Sequence, residues 1–509
     1  MADVDPKLQS NRVKDLGGTV RPSRKIELAI IVAVSLILTT FALVCSHAGH
    51  PFQIFALMYL VSGQWSLTAG QWALAVAVLV VLAGPRSGKS LCYAIPAVLS
   101  APGPCLATSN KGDILDVTAP IRRLDHPNGE IWTFDPERIA DPNRKSAPWV
   151  WDLIASVQSI ADAKRIADCW RYASGQPQTG GDDFFPGTAA QQLADYLFAA
   201  HLGGRSVSDV FRWCSNERDT SPADILSEYP RYAGIASRVS SVIALTPETR
   251  SGVFGSLQTM VAFLADPEII DWIDPHRDTE GNIDERRGLF DPYEFATSED
   301  TLYLLSAQGR PSTALTASLT AVVAFTAFQR AQSEFTGNNR RLPVPLCCVL
   351  DEAANICRWP ELADVYSYFG SAGIPIMTIW QNPDQGRAAF GETNFGSLFN
   401  NANITVYLGG IKDAKFLGEI SQLVGQREIV RGSVNIDGTG RRSVNNSIQK
   451  ENILDVSDLT EWPVGRALLL ASQSRAQIVK TLPWTGNRQW ADALTQAKAK
   501  AREEQRKAA

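Results

Sequence analysis

The pattern of apolar and polar residues divides the chain into regions of different character. Residues 26–45 are apolar apart from Glu27, and residues 72–83 form a Val-rich apolar run. Beyond them, short apolar runs alternate with helix-length segments as far as about residue 150, and again from residue 289. Between 151 and 288 the strand-like runs give way to helical spacing. The pattern predicts an α/β domain in two parts, interrupted by an all-helical domain.

The alternation of strands with helices is typical of a doubly wound parallel sheet. The runs predicted as strands are 72–83, 105–108, 130–134, 301–306, 344–350, 374–380, 404–408 and 466–471. Helices are predicted at 91–101, 114–124 and 311–334. In the central block, helical spacing covers 160–172, 188–203, 206–214 and 233–264, with a break at Thr246-Pro247. The predicted fold class is therefore α/β.

The N-terminal region has the composition of a membrane anchor. Residues 1–25 are polar and basic, and residues 26–45 are long enough to cross a bilayer as one helix. No signal-peptide cleavage site follows, and the basic residues place the N-terminus in the cytoplasm. A cytoplasmic nucleotide site further on then requires a return crossing, which is expected within about 51–66. A single span with the N-terminus outside is the alternative.

Composition limits the function classes. The 509 residues are 45% hydrophobic and 20% charged, which is typical of globular domains. The formal net charge of −5 predicts that any contact with DNA is a local patch or a channel. The eight cysteines include no CxxC pair and no zinc-ligand spacing, so reduced cytosolic thiols are expected.

A phosphate-binding loop is predicted directly after the run 72–83. Residues 83–90 read AGPRSGKS, between a predicted strand and a predicted helix. Glycines let backbone N–H groups point at phosphate oxygens, where the helix N-terminus adds partial positive charge. Lys89 would reach the β- and γ-phosphates of ATP, and Ser90 would bind Mg²⁺. The predicted nucleotide-binding residues are Gly84, Pro85, Arg86, Ser87, Gly88, Lys89 and Ser90.

An acidic pair supplies the expected second half of this site. Asp351 and Glu352 follow the apolar run 344–350. Asp351 is predicted to hold Mg²⁺ with Ser90, and Glu352 to activate the attacking water. Gln381 ends the next run and can contact both γ-phosphate and water, so the predicted catalytic residues are Lys89, Glu352 and Gln381. The alternatives are an acid pair at a helix N-terminus and a turn residue at a strand end.

Other polar residues end predicted strands as well. Ser109, Asn110 and Asp135 are expected near the nucleotide edge of the sheet, although Asn110 and Asp135 taken singly fit turn caps better. Residues 427–449 are rich in Gly, Asn, Ser and Arg and are predicted to protrude as a hairpin or loop. The DNA-binding candidates there are Arg427, Arg431, Arg441 and Arg442; a loop whose charges only aid solubility is the alternative. Residues 488–509 are predicted to be a solvated helical tail.

Five stretches carry a resemblance to a known family. They are AGPRSGKS, APGPCLATSNKGDILD, IWTFDPE, LDEAANICRWPELADVYSYFGSAGIPIMTIWQN and EWPVGRALLL. From about residue 70 to 485 the chain resembles the VirD4/TraG/TraD conjugative coupling proteins of type IV secretion, most closely in an actinobacterial-like variant. The resemblance implies a RecA-like ATPase that binds ATP and Mg²⁺ and forms a homo-hexamer at the plasma membrane. Its implied role is to drive relaxase-bound single-stranded DNA to the secretion channel.

The expected domain division follows from the pattern and the resemblance together. It comprises a basic N-terminus (1–25), an anchor (26–66), two parts of the nucleotide-binding domain (70–150 and 289–485), the helical insertion (151–288) and a polar tail (486–509). Two other functions stay open. One is a membrane receptor that binds nucleotide without hydrolysing it and docks protein substrates. The other is a motor for duplex DNA, which usually carries a winged-helix reader for which the tail has no room.

One departure from the family pattern concerns hydrolysis. In relatives an arginine commonly stands in the turn that here reads Gly370-Ser371-Ala372-Gly373, and it reaches the nucleotide of the neighbouring subunit. This chain has no arginine in that turn. Arg387, Arg358 and Arg310 are the candidates to replace it. If none does, hydrolysis is expected to be weak while nucleotide binding persists.

Overall fold

The computed structural model describes residues 78–175, 183–275, 287–307, 309, 312–436, 442–472 and 474–508. The predicted N-terminus, membrane anchor and first part of the run 72–83 lie outside these residues. So do Arg310 and Arg441.

A nine-stranded sheet organises the described residues. Its strand order is β13-β12-β9-β1-β8-β7-β2-β6-β3, and the seven strands from β9 to β3 are parallel. β12 runs antiparallel to both of its neighbours. The strands of this sheet are β1 (Val78–Leu82), β2 (Cys105–Ser109), β3 (Ile131–Phe134), β6 (Thr301–Leu305), β7 (Cys347–Leu350), β8 (Ile376–Trp380), β9 (Ile404–Tyr407), β12 (Arg466–Ala471) and β13 (Gln477–Lys480).

Helices cover both faces of the sheet, which is why its central strands read as continuous apolar runs. All residues of β1, β2, β6, β7, β8 and β9 are buried. The helices of the sheet domain are α1 (Ile95–Ser100), α2 (Asp113–Asp125), α10 (Pro292–Phe295), α11 (Ser312–Ser333), α12 (Ala353–Ile356), α13 (Leu362–Val365), α14 (Pro383–Phe390), α15 (Glu392–Asn401), α16 (Ala414–Val424), α17 (Val456–Thr460) and α18 (Arg488–Ala508). The α/β class with a parallel sheet is confirmed.

Between β3 and β6 the chain is mostly helical. The helices there are α3 (Ile160–Ala173), α4 (Phe184–Leu202), α5 (Val207–Ser215), α6 (Ser221–Ser227), α7 (Ala233–Ile243), α8 (Pro247–Val261) and α9 (Pro267–Ile273). The break at Thr246-Pro247 separates α7 from α8, as a proline at a first helical position does. The division into domains stays a prediction.

The long helix α11 lies in the core where this helical block meets the sheet domain. It packs against α3, and Arg165 of α3 stacks its guanidinium over the ring of Phe325 of α11 at 3.4 Å. Among the described residues, α11 is the one unbroken helix long and apolar enough to cross a membrane, but most of it is buried inside the protein. The apolar character of α11 is therefore that of a core helix.

Several predictions of local structure need correction. Two short parallel strands, β4 (Trp149–Trp151) and β5 (Gly288–Phe290), were not predicted, and neither was the edge strand β13 of the main sheet. β7 and β8 begin later than the apolar runs suggested, because Pro345 and Pro375 lack the N–H that a central strand donates.

The predicted solvated tail is docked on the body of the protein. α18 packs against α2, and Trp490 and Leu494 are buried in the same apolar cluster as Leu79 and Val81 of β1. Ala497 is buried as well. These residues recur with helical spacing and form one apolar stripe. The prediction of a solvated tail was therefore wrong for this face of α18.

The predicted protruding segment is a β-hairpin. β10 (Gln426–Ile436) and β11 (Arg442–Asn452) pair antiparallel over their full length and form a separate two-stranded sheet. Its base is closed where the N–H of Ile453 donates to the carbonyl of Gly425.

Candidate nucleotide site

The loop between β1 and α1 has the conformation that glycines permit. Gly88 lies at φ 86°, a region that residues with side chains rarely adopt. Behind it the helix starts as a π-helical turn, Ser90–Ala94, in which the N–H of Ile95 donates to the carbonyl of Ser90. Pro96 has no N–H to give a normal α-helical bond to Cys92, which favours this wider turn.

Two further glycines, Gly409 and Gly410, contact the backbone of this loop. The N–H of Gly84 donates to the carbonyl of Gly409 at 2.9 Å. A Cβ on Gly84 would lie 2.3 Å from the carbonyl oxygen of Gly410, so backbone packs directly on backbone. Gly409 and Gly410 both have left-handed φ values and follow β9. Sequence reasoning missed this pair, although two glycines at the end of a predicted strand were its signal.

Neighbouring strands bring the predicted catalytic groups together. β1 pairs with β8 and β8 with β7, in register Leu82 with Trp380 and Leu350 with Thr378. Because these strands are parallel, their carboxyl ends meet at one edge of the sheet. The phosphate-loop sequence, Gln381 and the acid pair follow directly from these three ends.

The side chains meet at one carboxylate. The ammonium of Lys89 and the side-chain amide of Gln381 both donate hydrogen bonds to Oε1 of Glu352. The Nζ of Lys89 also lies 3.3 Å from Oδ1 of Asp351. On the other side, the hydroxyl of Ser90 donates to Oδ2 of Asp351 at 3.4 Å. All five residues that were predicted as catalytic or metal-binding therefore lie in one cluster.

The acid pair is held in an unusual backbone conformation. Glu352 has φ 56° and ψ 38°, which is sparsely populated for a residue with a side chain. Its Oε2 accepts a hydrogen bond from Nδ2 of Asn355 at 2.8 Å, and Thr108 donates to the carbonyl of Asp351 at 2.8 Å. Strained backbone of this kind clusters at active sites. Asn355 and Thr108 were not predicted; the spacing of Asn355 three residues after Glu352 could have suggested its role.

Burial affects the protonation of Asp351, the candidate metal ligand. Asp351 is almost completely buried, and burial raises the pKa of its carboxyl to about 6. The ammonium of Lys89 acts in the opposite direction and lowers this pKa, while the negative charge of Glu352 raises it. A carboxyl in such a position releases its proton readily when a cation arrives.

The residues fit a nucleotide phosphate chain with Mg²⁺. The hydroxyl of Ser87 is buried in the loop and has no hydrogen-bond partner among the described residues, as expected of a group that faces a phosphate. Ser90 and Asp351 offer hard oxygen ligands. The described residues contain no group of three or more His, Cys, Asp or Glu side chains that could hold a metal alone. Proteins commonly bind Mg²⁺ through one or two side chains plus phosphate oxygens and water, which is the number of ligands that Ser90 and Asp351 provide.

The remaining strand-end candidates lie further along the edge. Asp135 accepts hydrogen bonds from the backbone N–H groups of Ile139 and Ala140 at 2.6 and 2.9 Å, which is the turn-capping role. Ser109 likewise accepts from the backbone N–H of Lys111 at 3.2 Å. Asp135 follows β3, the edge strand furthest from β1 on that side of the sheet.

The candidates to replace the missing arginine differ in their surroundings. Arg387 is held by three carboxylates: Asp384 and Asp413 accept from its Nη1 at 2.8 and 2.7 Å, and Glu392 lies 3.2 Å from its Nε. Arg358 is half-buried and donates to the carbonyl of Ala354 at 3.2 Å. Arg310 lies outside the described residues.

A guanidinium nevertheless lies at the turn 370–373. Nη1 of Arg341 donates to the carbonyls of Gly370 and Ser371 at 2.9 and 3.1 Å. The segment after it is fixed to the same turn, since the N–H of Leu342 donates to the carbonyl of Ala372 at 2.9 Å. Arg341 stands about thirty residues before the turn, in a Pro-rich loop, and sequence reasoning missed it.

The DNA-binding candidates that the structure describes belong to the β10–β11 hairpin. Arg431 donates to the carboxylate of Glu451, and the strand register places Arg427 opposite Glu451. Arg442 begins β11, and Arg441 lies outside the described residues. Contact of these arginines with DNA stays a prediction.

Comparison with known proteins adds a family region and a fold. Residues 345–464 match the family model described as the TraM recognition site of TraD and TraG. No curated protein sequence matches the chain significantly.

Solved structures of conjugative coupling proteins have a fold similar to that of this chain. The bacterial conjugative coupling protein TrwBdeltaN70, in its unbound monoclinic form, has a TM-score of 0.57 and 15% identity over 82% of this chain and 88% of that chain. The plasmid coupling protein TrwB in complex with ADP and Mg²⁺ has a TM-score of 0.57 and 15% identity over 85% of this chain and 93% of that chain. At such identities the likeness concerns the fold. Together with the match at 345–464, it confirms the resemblance to the VirD4/TraG/TraD-type coupling proteins.

Proposed function

We propose that this protein is a membrane-anchored coupling ATPase, which hydrolyses ATP at the site between β1, β7 and β8. The observation that carries the proposal is the convergence of Lys89 and Gln381 on one carboxylate oxygen of Glu352. A structural ion pair explains the Lys89 contact alone. It does not explain why a water-positioning amide, a strained acid and a glycine-rich loop share the same edge of the sheet.

Each residue has a distinct task in this proposal. Lys89 leaves Glu352 for the β- and γ-phosphates when nucleotide binds. The freed Oε1 of Glu352 then accepts a proton from the attacking water, which the amide of Gln381 orients. Mg²⁺, with Ser90 and Asp351 as its protein ligands, would offset phosphate charge.

The cargo and assembly of the protein follow from the coupling-protein resemblance. We assign to it relaxase-bound single-stranded DNA as cargo, a homo-hexameric ring as the working assembly, and components of a type IV secretion channel as partners. Residues 26–66 anchor it in the plasma membrane, with the nucleotide site in the cytoplasm. The match to a TraM recognition site supports a docking role for 345–464 toward a relaxosome protein.

We assign the arginine that acts across the subunit boundary to Arg341. Its guanidinium lies on the turn where relatives commonly carry that arginine, while Arg387 is neutralised by three carboxylates. Hydrolysis is therefore retained in this chain despite the missing arginine in 370–373.

ATP hydrolysis by the full chain in detergent, with and without single-stranded DNA, tests the proposed function. Wild-type protein should hydrolyse ATP faster when DNA is present. Lys89→Ala should bind and hydrolyse ATP weakly and should not support DNA transfer in cells. Lys164→Ala, which removes an exposed lysine paired with Asp168, is the matched control and should behave as wild type.

Nucleotide binding without hydrolysis, in protein that still assembles, would instead favour the receptor that docks protein substrates. Normal DNA transfer by the Lys89→Ala variant would exclude a nucleotide-driven role altogether.

A further inference from the structure

The β10–β11 hairpin exposes an apolar pair in the middle of its length. Val430 and Ile448 are directly opposite in the strand register, and their side chains are 67% and 69% exposed. The same register pairs Val434 with Val444 further toward the tip. The hairpin contacts the body near its base, through α16. A two-stranded hairpin standing alone in water is marginally stable, so a surface that covers this pair is expected.

Part of the charge of the hairpin is paired across its two strands. Arg431 is paired with Glu451, and Glu428 stands opposite Lys450. Cross-strand pairs of this kind fix the register, but they leave less free positive charge for a phosphate backbone than the sequence suggested. The exposed apolar pair favours contact with a protein surface over contact with nucleic acid.

A complementary surface lies on the same chain. α15 and α16 enclose a groove of about 470 Å³. Phe395, Phe399 and Phe416 line it, and Leu423 at its lip is 59% exposed. Glu392 and Glu419 stand on its rim, and Glu419 makes no ion pair with any described residue.

Charge complementarity favours contact between these two surfaces. Residues 426–452 contain five basic and three acidic residues, so the hairpin carries excess positive charge. The carboxylates at and around the groove are Asp384, Glu392, Asp413 and Glu419. Among the described residues, Arg387 and Lys415 form ion pairs with the first three of them. The apolar pair on a basic hairpin therefore matches an apolar groove with an acidic rim.

We propose that the hairpin of one copy of this chain docks into the α15–α16 groove of a second copy. The groove of the same chain is not its partner, because Val430 and Ile448 stay exposed while Gly425 and Ile453 fix the hairpin base beside α16. Hairpin and groove are different surfaces of one chain, so the contact is head-to-tail. Repetition of such a contact builds a ring or a filament. The proposal goes beyond the proposed function by naming the surfaces that hold neighbouring copies together.

Cross-linking between two single-cysteine additions tests the contact in the full chain. Ile448→Cys and Leu423→Cys are prepared separately, mixed and treated with a short bismaleimide. Of the native cysteines in the described residues, all are buried except the half-buried Cys92, so few cross-links should form through them. The mixture should give a covalent dimer that neither variant gives alone. Thr259→Cys on the exposed side of α8 replaces Leu423→Cys in the control and should give none.

A charge variant gives a second, independent measurement. Val430→Asp combined with Ile448→Asp should lower the assembly state in sedimentation experiments, and Glu419→Lys should weaken assembly in the same direction. ATP binding by the dissociated protein should be unchanged, since neither change touches the nucleotide site. The cross-link should persist in a Lys89→Ala background, which separates this proposal from the failure of the proposed ATPase.

Two results would overturn the proposal. One is the absence of the mixed cross-link while an environment-sensitive label on Ile448→Cys responds to phosphatidylglycerol vesicles, which would make the hairpin a membrane-contacting surface. The other is the absence of the mixed cross-link together with a loss of single-stranded DNA affinity in the Val430→Asp/Ile448→Asp variant. That result would return the hairpin to the DNA path.

Discussion

Lys89 donates a hydrogen bond to Oε1 of Glu352, the oxygen that also accepts from Gln381. Lys89 and Glu352 are 263 residues apart in the chain, and the pairing of β1, β8 and β7 makes them neighbours. In this arrangement the ammonium masks the carboxylate that would act as base. Phosphate binding and base activation are thereby coupled, because both require Lys89 to leave Glu352.

Glu352→Gln should separate nucleotide binding from hydrolysis. The amide keeps the shape of the side chain but cannot accept a proton, so the hydrolysis rate should fall by about 10²–10⁴-fold. ATP affinity should be equal or higher, because Lys89 no longer has to leave the negative charge of Glu352. Single-turnover hydrolysis and equilibrium ATP binding measure the two effects.

The control for this variant is Glu334→Gln, which removes an acid paired with Arg330 on the surface end of α11. It should leave both quantities unchanged. A Glu352→Gln protein that hydrolyses ATP at the wild-type rate would remove Glu352 from the role of base.

The acidity of Asp351 predicts a pH dependence of Mg²⁺-nucleotide binding. Burial raises the pKa of this carboxyl to about 6, so a proton must leave before a cation can bind. Affinity for Mg²⁺-ATP should therefore fall by at most about tenfold per pH unit as the pH drops below 6. Calorimetry in two buffers of different ionisation enthalpy should detect the released proton near pH 6.

The carboxyl of Asp351 also affects the stability of the unliganded protein, with the opposite dependence on pH. A carboxyl whose pKa is higher in the folded than in the unfolded chain binds its proton more tightly when folded. Its contribution to stability is present at low pH and is lost as pH rises through about 6. Asp351→Asn should flatten this part of the pH–stability curve and abolish the proton release.

The contact beneath the phosphate loop can be tested with a single methyl group. In Gly84→Ala the new Cβ would meet the carbonyl oxygen of Gly410 at 2.3 Å, so the loop or β9 must shift. Overpacking of this kind typically costs about 1–3 kcal/mol. We expect a lower unfolding midpoint and weaker ATP binding. Gly418→Ala, where a Cβ meets nothing within 4 Å in α16, should be neutral or stabilising by up to about 1 kcal/mol.

Local patterns predicted eight of the nine strands of the sheet and most residues of the candidate site, because their signals are short-range. The loop 83–90 and the pair Asp351-Glu352 each combine a buried strand with a distinctive polar end. Parallel pairing then brings such ends to one edge without further information. What could not be predicted depends on contacts between distant segments. The packing of Gly84 on Gly410 and the left-handed backbone of Glu352 are examples.

The C-terminal helix α18 is a second case in which local pattern did not predict the packing. Charged residues dominate α18, and they suggested a solvated tail. Trp490 and Leu494 are nevertheless buried against the body, because a narrow apolar stripe is enough to dock one face of a helix. Sequence pattern reported the average polarity of the segment, whereas docking depends on one face of it.

The last prediction concerns Arg341 and its proposed role in ATP hydrolysis at the neighbouring subunit. If this guanidinium acts at the neighbour's nucleotide, Arg341→Ala should lower the ATPase rate by about 10³-fold or more, as the loss of an arginine that stabilises transition-state charge does. ATP binding to each subunit should persist. Arg340→Ala, at the exposed preceding residue, is the matched control and should keep most of the activity.

Mixing experiments separate this role from a structural one. Arg341 also ties the segment before β7 to the carbonyls of Gly370 and Ser371, so its loss alone does not distinguish the two. Lys89→Ala subunits retain Arg341, and Arg341→Ala subunits retain the phosphate loop. Assemblies that contain both variants should recover activity at boundaries where an intact Arg341 faces an intact Lys89. No recovery from assemblies that demonstrably mix would show that Arg341 acts within its own subunit, and the assignment in trans would be wrong.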